Sequence, residues 1–238
     1  MRIALIGYGK MGKEIEQVAL ERKHTIALII DINNLKELTA QNLKKIDVAI
    51  EFSRPETAVN NIRTCFASDT PIVTGTTGWL DHFETIKDEC IKGNKTFFYA
   101  SNYSLGVNIF FKVNQFLARI MNNFEQYEVE MEEIHHIQKI DAPSGTAISL
   151  ADDIIKAITR KKQWQLNKQD NTESLKINAV RRDTVPGTHT IKYDSPVDYI
   201  EMTHCAKNRK GFALGAVIAA EFIAGKKGFF NMDDLLKF

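Results

Sequence analysis

Through the first hundred residues, short apolar runs alternate with amphipathic stretches. Residues 3–6 read as a strand and 11–22 as a helix, 26–30 as a second buried strand, and 48–52 as a third. A helix starts near Pro55, where a missing N–H does no harm because the first helical turn has no acceptor for it. Residues 71–74 read as a fourth strand, 80–91 as a helical stretch and 96–100 as a fifth strand. Strands alternating with helices predict βαβ units, right-handed crossovers and a parallel sheet.

The pattern changes after about residue 103. Val107, Phe110, Phe111, Leu117, Ile120, Met121 and Phe124 recur at near-helical spacing and predict one long helix with a wide apolar face. Residues 127–132 alternate apolar and acidic, the mark of a strand with one wet face. A second helix is expected over 144–161 and a polar, mobile loop over 164–174; strands follow at 175–181, 189–193 and 199–204. The second half therefore reads as α+β. The tail, 211–220, is a helix of small and apolar residues, expected to pack back on the first domain.

Composition narrows the class. A chain of 238 residues makes one large domain or two small ones. With 44% hydrophobic and 26% charged residues it is close to a soluble globular average, against a disordered, collagen-like or membrane-spanning chain. Lys and Arg number 31 against 30 Asp and Glu, a net charge of +1. A nucleic-acid binder would carry more positive charge. Three cysteines, Cys65, Cys90 and Cys205, give an odd number without CxxC spacing, which argues against a disulfide framework or a thiolate zinc site. The apolar run before Gly7 is too short for a signal peptide or a membrane span. A cytoplasmic protein with no membrane or nucleic-acid partner is expected.

Gly7-Tyr8-Gly9-Lys10-Met11-Gly12 directly follows the first strand and opens the first helix, the context a dinucleotide fingerprint requires. Gly7 permits the tight turn, Gly9 lets the backbone approach a pyrophosphate, and Gly12 lets helix and strand pack closely. The helix N-terminus offers free N–H groups to the phosphates. Asp31, at the end of the second strand, suits an adenosine ribose. It would repel a ribose 2′-phosphate, and the next residues are Ile32, Asn33 and Asn34, with only Lys36 nearby as a cation. NADH is therefore expected to be preferred, with NADPH possible. Gly75-Thr76-Thr77-Gly78 and Ala100-Ser101-Asn102-Tyr103 follow strands four and five, where ligands on open parallel sheets bind. Both could line a nicotinamide, although the same residue types are ordinary turn formers. The fold class is thus α/β, a Rossmann-like parallel-sheet nucleotide domain (1–103 with 207–238) plus an α+β substrate and oligomerisation domain (104–206).

The densest chemistry lies in the run from Glu133 to Ala147. His135, His136, Lys139 and Asp141 precede a Pro143-Ser144-Gly145-Thr146 turn that opens a helix. An anion could dock on the Gly145 and Thr146 N–H groups and the Thr146 hydroxyl. Lys139 could supply a cation or a proton, and histidine suits proton transfer near neutral pH. A metal site is not expected: adjacent strand residues point to opposite faces, so His135 and His136 cannot share an ion unless the chain bends. Arg181, Arg182, His189, His204, Lys207 and Arg209 read as solvated or packing side chains, Arg209 alone lying where it could touch a cofactor or a hinge.

At Glu133–Ala147 the sequence resembles the 4-hydroxy-tetrahydrodipicolinate (dihydrodipicolinate) reductase family, meeting the pattern E-x-H-H-x-x-K-x-D-A-P-S-G-T-A at every fixed position. Further blocks in family order are Glu51-Phe52-Ser53 with Pro55-Glu56, Gly75 to Gly78, Ser101 to Ser104 with Gly106 to Asn108, Arg181, Gly187-x-His189, and His204-x-Ala206 through Ala216. The resemblance implies a nicotinamide-dependent reductase of the diaminopimelate route to lysine, acting on a cyclic imine dicarboxylate. It implies His135 as proton donor/acceptor, Lys139 as second proton donor, and His136, Gly145 and Thr146 as carboxylate holders; Ser144 joins them as part of the same donor-bearing turn. The cofactor contacts would be Gly7 to Gly12, Asp31, Gly75 to Thr77 and Ala100 to Tyr103, in a homotetramer. The chain departs from many members in a glycine loop one residue shorter and in Ile32, where arginine is frequent. Two other classes share part of the pattern. One is another nicotinamide-dependent imine or amino-acid dehydrogenase, which would lack the H-H-x-x-K run. The other is an NADH-binding sensor without catalysis, which would need an output element such as a basic helix-turn-helix.

Overall fold

The computed structural model describes residues 1–208 and 210–237. Arg209, for which a cofactor or hinge role was expected, lies outside the described residues. The chain divides into two units, Met1–Leu105 with Lys210–Phe238, and Gly106–Arg209. No helix among the described residues is long and apolar enough to cross a membrane.

In the first unit, β1 (Arg2–Ile6), β2 (Thr25–Ile30), β3 (Val48–Glu51), β4 (Ile72–Thr74), β5 (Thr96–Tyr99) and β11 (Gly228–Phe230) form one sheet in the order β11-β5-β4-β3-β1-β2. Every pairing is parallel. The order reverses between β1 and β3, so the chain winds outward in both directions from there. Side chains alternate between two cores, as the strand period requires. Ile3, Leu5, Val48, Ile50, Val73 and Phe98 face one, with α1 (Lys10–Glu21) and α7 (Lys210–Ile223). Ala4, Ile6, Ala49, Ile72, Phe97 and Tyr99 face the other, with α3 (Pro55–Ala67) and α4 (Phe83–Lys92).

Several expectations need correction here. β2 is an edge strand and only half-buried, with Ile30 alone fully enclosed. The stretch 80–91 begins as a 3-10 turn, Leu80–His82, before α4. α2 (Ala40–Leu43), β11 and α8 (Met232–Leu236), of three to five residues each, are elements that the sequence pattern did not predict. α8 is fixed by a capping box between Asn231 and Asp234.

The second unit has a mixed five-stranded sheet, in which β6 (Glu128–His135) is central; β10 (Tyr199–Cys205) and β9 (Thr188–Asp194) lie on one side of it, β8 (Ser174–Arg181) and β7 (Gln163–Leu166) on the other. β6 runs antiparallel to β9 and parallel to β8. α5 (Leu105–Met121) and α6 (Gly145–Ala157) cover one face, with Val129, Met131, Ile177, Ile191 and Tyr193 in the core beneath them. β7 replaces the first residues, 164–166, of the expected 164–174 loop, and 167–173 remain turn and irregular chain. The Gln-Trp-Gln-Leu sequence of β7 looks polar because it forms the sheet edge, while Trp164 packs on the core. α6 stops at Ala157, short of the expected Lys161. Lys161 instead turns inward, almost fully buried, and donates to Glu128 and to the carbonyls of Thr172 and Ser174.

The small-residue face of α7 has a steric reason. A Cβ on Gly215 would fall 1.7 Å from the Tyr103 carbonyl oxygen, and the Tyr103 hydroxyl is itself anchored on Thr74 O at 2.7 Å. Gly215→Ala should therefore cost about 2 kcal/mol or more in chemical denaturation.

Candidate active site

The first unit has a candidate site of its own at the C-terminal ends of β1, β2 and β3, where the strand order reverses. A cavity of about 450 Å³ is lined there by Gly7, Tyr8, Gly9, Asp31, Ile32, Phe52, Ser53, Arg54 and Thr57, among others. Gly7 holds φ +94°, and a Cβ there would lie 2.1 Å from Phe52 O. A Cβ on Gly12 would lie 2.3 Å from Gly7 O, whereas one on Gly9 would meet nothing within 4 Å. Gly9 thus faces open space at the helix N-terminus. No side chain caps α1 and no acid lies in its first turn, so its N–H groups stay available to an anion. These residues fit a dinucleotide: bare backbone for a pyrophosphate, and the half-buried Asp31 for a ribose.

Of the expected cofactor residues, Gly7, Tyr8, Gly9 and Asp31 line this cavity. Lys10 is exposed at the start of α1, Met11 packs on the core, and Gly12 serves the turn. Gly75, Thr76, Thr77, Ala100, Ser101, Asn102 and Tyr103 are not among its lining. Thr76 donates its hydroxyl to Glu51 (2.9 Å) and accepts the Ser53 N–H (2.8 Å). Tyr103 is buried with its hydroxyl bound. Phe52, Ser53, Arg54 and Thr57 were given no role by sequence reasoning. Their signal was positional, directly after β3 and next to the strand-order reversal.

In the second unit the register of β6 assembles the chemistry. Glu133 stands opposite His189 on β9, and His135 opposite Arg181 on β8. Residues directly opposite share a face, as do residues two apart. All four therefore emerge on the face whose earlier row, Val129 and Met131, is core. Glu133 has no exposed surface. Its Oε1 accepts the Ser144 N–H and Arg181 Nη2, each at 3.1 Å. His135 Nδ1 lies 2.7 Å from Glu133 Oε2. His189 Nε2 pairs with Ser144 Oγ at 3.1 Å, and that hydroxyl also caps α6 by accepting the Ala147 N–H. The structure thus joins to this cluster His189 and Arg181, which the sequence reading left as solvated or packing side chains, and Glu133, to which it gave no role of its own.

The loop after β6 carries Lys139, whose Nζ holds both oxygens of the exposed Asp141 at 2.7 Å. Arg181 pins this loop, donating to Lys139 O (3.2 Å) and Asp141 O (2.6 Å). His136 is half-buried, and its carbonyl accepts the Lys139 N–H. α6 begins at Gly145, with Ser144 as its cap rather than its first residue. Gly145 is exposed, a Cβ there would meet nothing, and no acid lies in the first turn. The helix end can thus receive a carboxylate. Glu133, His135 and His189 place one ligand-type atom each within 4.8 Å of one another. Arg181 already neutralises that carboxylate, so the cluster suits proton chemistry better than a cation.

Charge follows from these contacts. Burial pushes the Glu133 carboxyl up, but the close His135 imidazole and hydrogen bonds from Ser144 and Arg181 outweigh it and hold it at about 2. Burial, reinforced by the neighbouring His135, lowers His189 to about 4, so it is neutral at pH 7.

The two halves of the chain match models of one family: residues 1–103 match "Dihydrodipicolinate reductase, N-terminus" and residues 106–236 match "Dihydrodipicolinate reductase, C-terminus". The chain belongs to the dihydrodipicolinate reductase family. It is an oxidoreductase, and its N-terminal unit serves a nicotinamide cofactor. A 4-hydroxy-tetrahydrodipicolinate reductase from Christiangramia forsetii is 50% identical over 99% of this chain and 98% of its own length. The one from Lawsonia intracellularis is 33% identical over 99% of each. Among solved structures, the dipicolinate-bound dihydrodipicolinate reductase from Paenisporosarcina sp. TG-14 superposes with a TM-score of 0.82, covering 98% of both chains at 22% identity, a likeness of fold.

The depressed pKa values make stability in this reductase-family chain pH-dependent. A group whose folded pKa lies below its unfolded value stabilises the fold above the unfolded pKa and loses that contribution as pH falls through the folded one. For His189 the window runs from 6.5 to about 4 and for Glu133 from 4.5 to about 2. A shift like that of His189 corresponds to about 3 kcal/mol. Chemical denaturation between about pH 7 and pH 4 should show that loss, and His189→Gln should flatten the upper window while sparing the lower.

Proposed function

We propose that this chain reduces 4-hydroxy-tetrahydrodipicolinate to tetrahydrodipicolinate with loss of water, in lysine biosynthesis via diaminopimelate. The carrying observation is the run from Glu133 to Ala147, folded as a strand end, a pinned loop and an open helix N-terminus in a chain that matches the family along its length. In this reading His135 holds and delivers a proton, and Lys139 is the second donor. His136, Ser144, Gly145 and Thr146 hold the two carboxylates of the cyclic imine. Lys139 is kept in place by Asp141, a partner on the protein surface, so a dianionic substrate can compete for the ammonium. Donors fixed in advance at the ring also stabilise charge that develops there.

Gly7, Tyr8, Gly9, Lys10, Met11, Gly12 and Asp31 would hold the cofactor, assisted by Gly75, Thr76, Thr77, Ala100, Ser101, Asn102 and Tyr103, mainly through backbone groups. When bound, the dihydronicotinamide supplies a hydride to the ring carbon that loses its hydroxyl. NADH is preferred because Asp31 repels a 2′-phosphate. NADPH is tolerated because Arg54 lines the same cavity. The protein acts in the cytoplasm, as a homotetramer built on the second sheet. There Glu130 stands beside Lys176 and Lys192 on neighbouring strands, a row of both signs that another copy can match.

Coupling the chain to the synthase that makes its substrate should give NADH oxidation, with a higher kcat/KM for NADH than for NADPH. An NADPH preference would overturn the role of Asp31. Lys139→Ala should lower kcat about 100-fold or more while leaving NADH binding within about twofold. Equal losses in both would make Lys139 structural. Sedimentation should report four copies, and charge reversal at Glu130 should shift the distribution toward smaller species.

A further inference from the structure

We propose that Glu133 is a positioning residue for the reduction: it fixes His135 as the tautomer protonated on Nδ1, so that Nε2 is the nitrogen that meets the substrate, and through Arg181 it ties that imidazole to the loop bearing Lys139. This rests on the reading of His135 and Lys139 as proton donors. An ionised carboxylate can only accept hydrogen bonds. His135 Nδ1 lies 2.7 Å from Glu133 Oε2, off the line of a well-aligned N–H donor, and neither buried atom has another hydrogen-bond partner; a proton on Nδ1 is what makes that pair attractive rather than two lone pairs facing each other. Neutral imidazole has one N–H, so Nε2 is left with a lone pair. When His135 is charged, Nε2 carries the proton that is delivered and Nδ1 keeps its own. The group returns to the same tautomer after transfer, and water restores the Nε2 proton.

A second observation concerns the space beside Nε2. A Cβ on Gly187 would lie 3.0 Å from it, so the absence of a side chain at 187 leaves that edge of the ring clear. The same carboxylate is also the hub for the substrate turn. Its other oxygen holds the Ser144 N–H and Arg181, and the Arg181 fork reaches on to the Lys139 and Asp141 carbonyls. Proton donor, second donor and helix N-terminus thus share one buried acid. A planar, always-charged fork can make these contacts together; an ammonium cannot.

The test begins with the wild-type protein. The ¹⁵N spectrum of His135, assigned by its loss in His135→Asn, should report the Nδ1-protonated tautomer at high pH. The Nε2-protonated form would overturn the proposal without any further variant. Glu133→Gln keeps the shape and an acceptor for Ser144 and Arg181 but turns an amide donor toward Nδ1. It should reverse the tautomer and lower kcat about 100-fold or more, with the Kd for NADH within about twofold. Turnover within about threefold of wild type, or an unchanged tautomer, would overturn it. Arg181→Lys should keep the tautomer yet lower kcat at least about tenfold, because the Lys139 loop is no longer held; unchanged turnover removes the loop-tying half of the proposal. Wild type and His135→Asn run in the same coupled assay keep the two questions apart. An inactive wild type, or a fully active His135→Asn, sinks the reading of the site, whereas the tautomer result judges Glu133 alone.

Discussion

A charge buried without a partner costs several kcal/mol, and that constraint organises the second unit around Glu133. The carboxylate occupies the core row of β6, where the pattern set by Val129 and Met131 would otherwise place another apolar side chain. It is sustained there by a guanidinium, a backbone N–H and an imidazole, each from a different segment. Each of those segments carries something else that the site needs. The guanidinium holds the Lys139 loop, the N–H belongs to the cap of α6, and the imidazole is the proposed proton donor. Satisfying one charge therefore arranges three functional elements.

The first unit has a buried acid of its own, and the contrast shows what the guanidinium contributes. Glu51, at the C-terminal end of β3, is also fully buried. It accepts from the Ser53 N–H, the Ser53 hydroxyl and the Thr76 hydroxyl, but no cation is paired with it among the described residues. Burial pushes its carboxyl up, only partly countered by those hydrogen bonds. Glu133 moves the other way with an arginine beside it. The first acid is thus suited to stitching two loops together at the rim of the nucleotide cavity, and the second to stabilising an imidazolium.

What could be read from the sequence follows the same division. The nucleotide cavity is made largely of backbone, and backbone sites announce themselves as glycines at fixed spacing after a strand; Gly7, Gly9 and Gly12 were therefore legible along with the parallel sheet. The loop that we propose carries the chemistry stood out through its dense local run and its resemblance to a family. The partners of that run did not. His189 and Arg181 reach Glu133 and His135 only through the register of β9 and β8, which no local pattern encodes. One local clue was present. Glu132 and Glu133 are adjacent on a strand, so one of the two acids must face inward, and the expected single wet face could not hold to the strand's end. The edge strand β7 was missed for the opposite reason, because solvent on one side permits a polar sequence that reads as loop.

The two sites also differ in what they tolerate. A backbone cradle is insensitive to side-chain chemistry but intolerant of added atoms: Gly7 and Gly12 admit no Cβ, while the side chains of Asp31 and Arg54 line the same cavity without forming the turn. The second site is insensitive to local sequence but intolerant of lost charge. Remove the guanidinium and the carboxylate is stranded; remove the carboxylate and both the imidazole and the loop lose their reference point. Arg181, which looks from the sequence like a surface cation at a strand end, is therefore as much a condition of the site as the residues that touch substrate, because burial of Glu133 makes its positive charge obligatory.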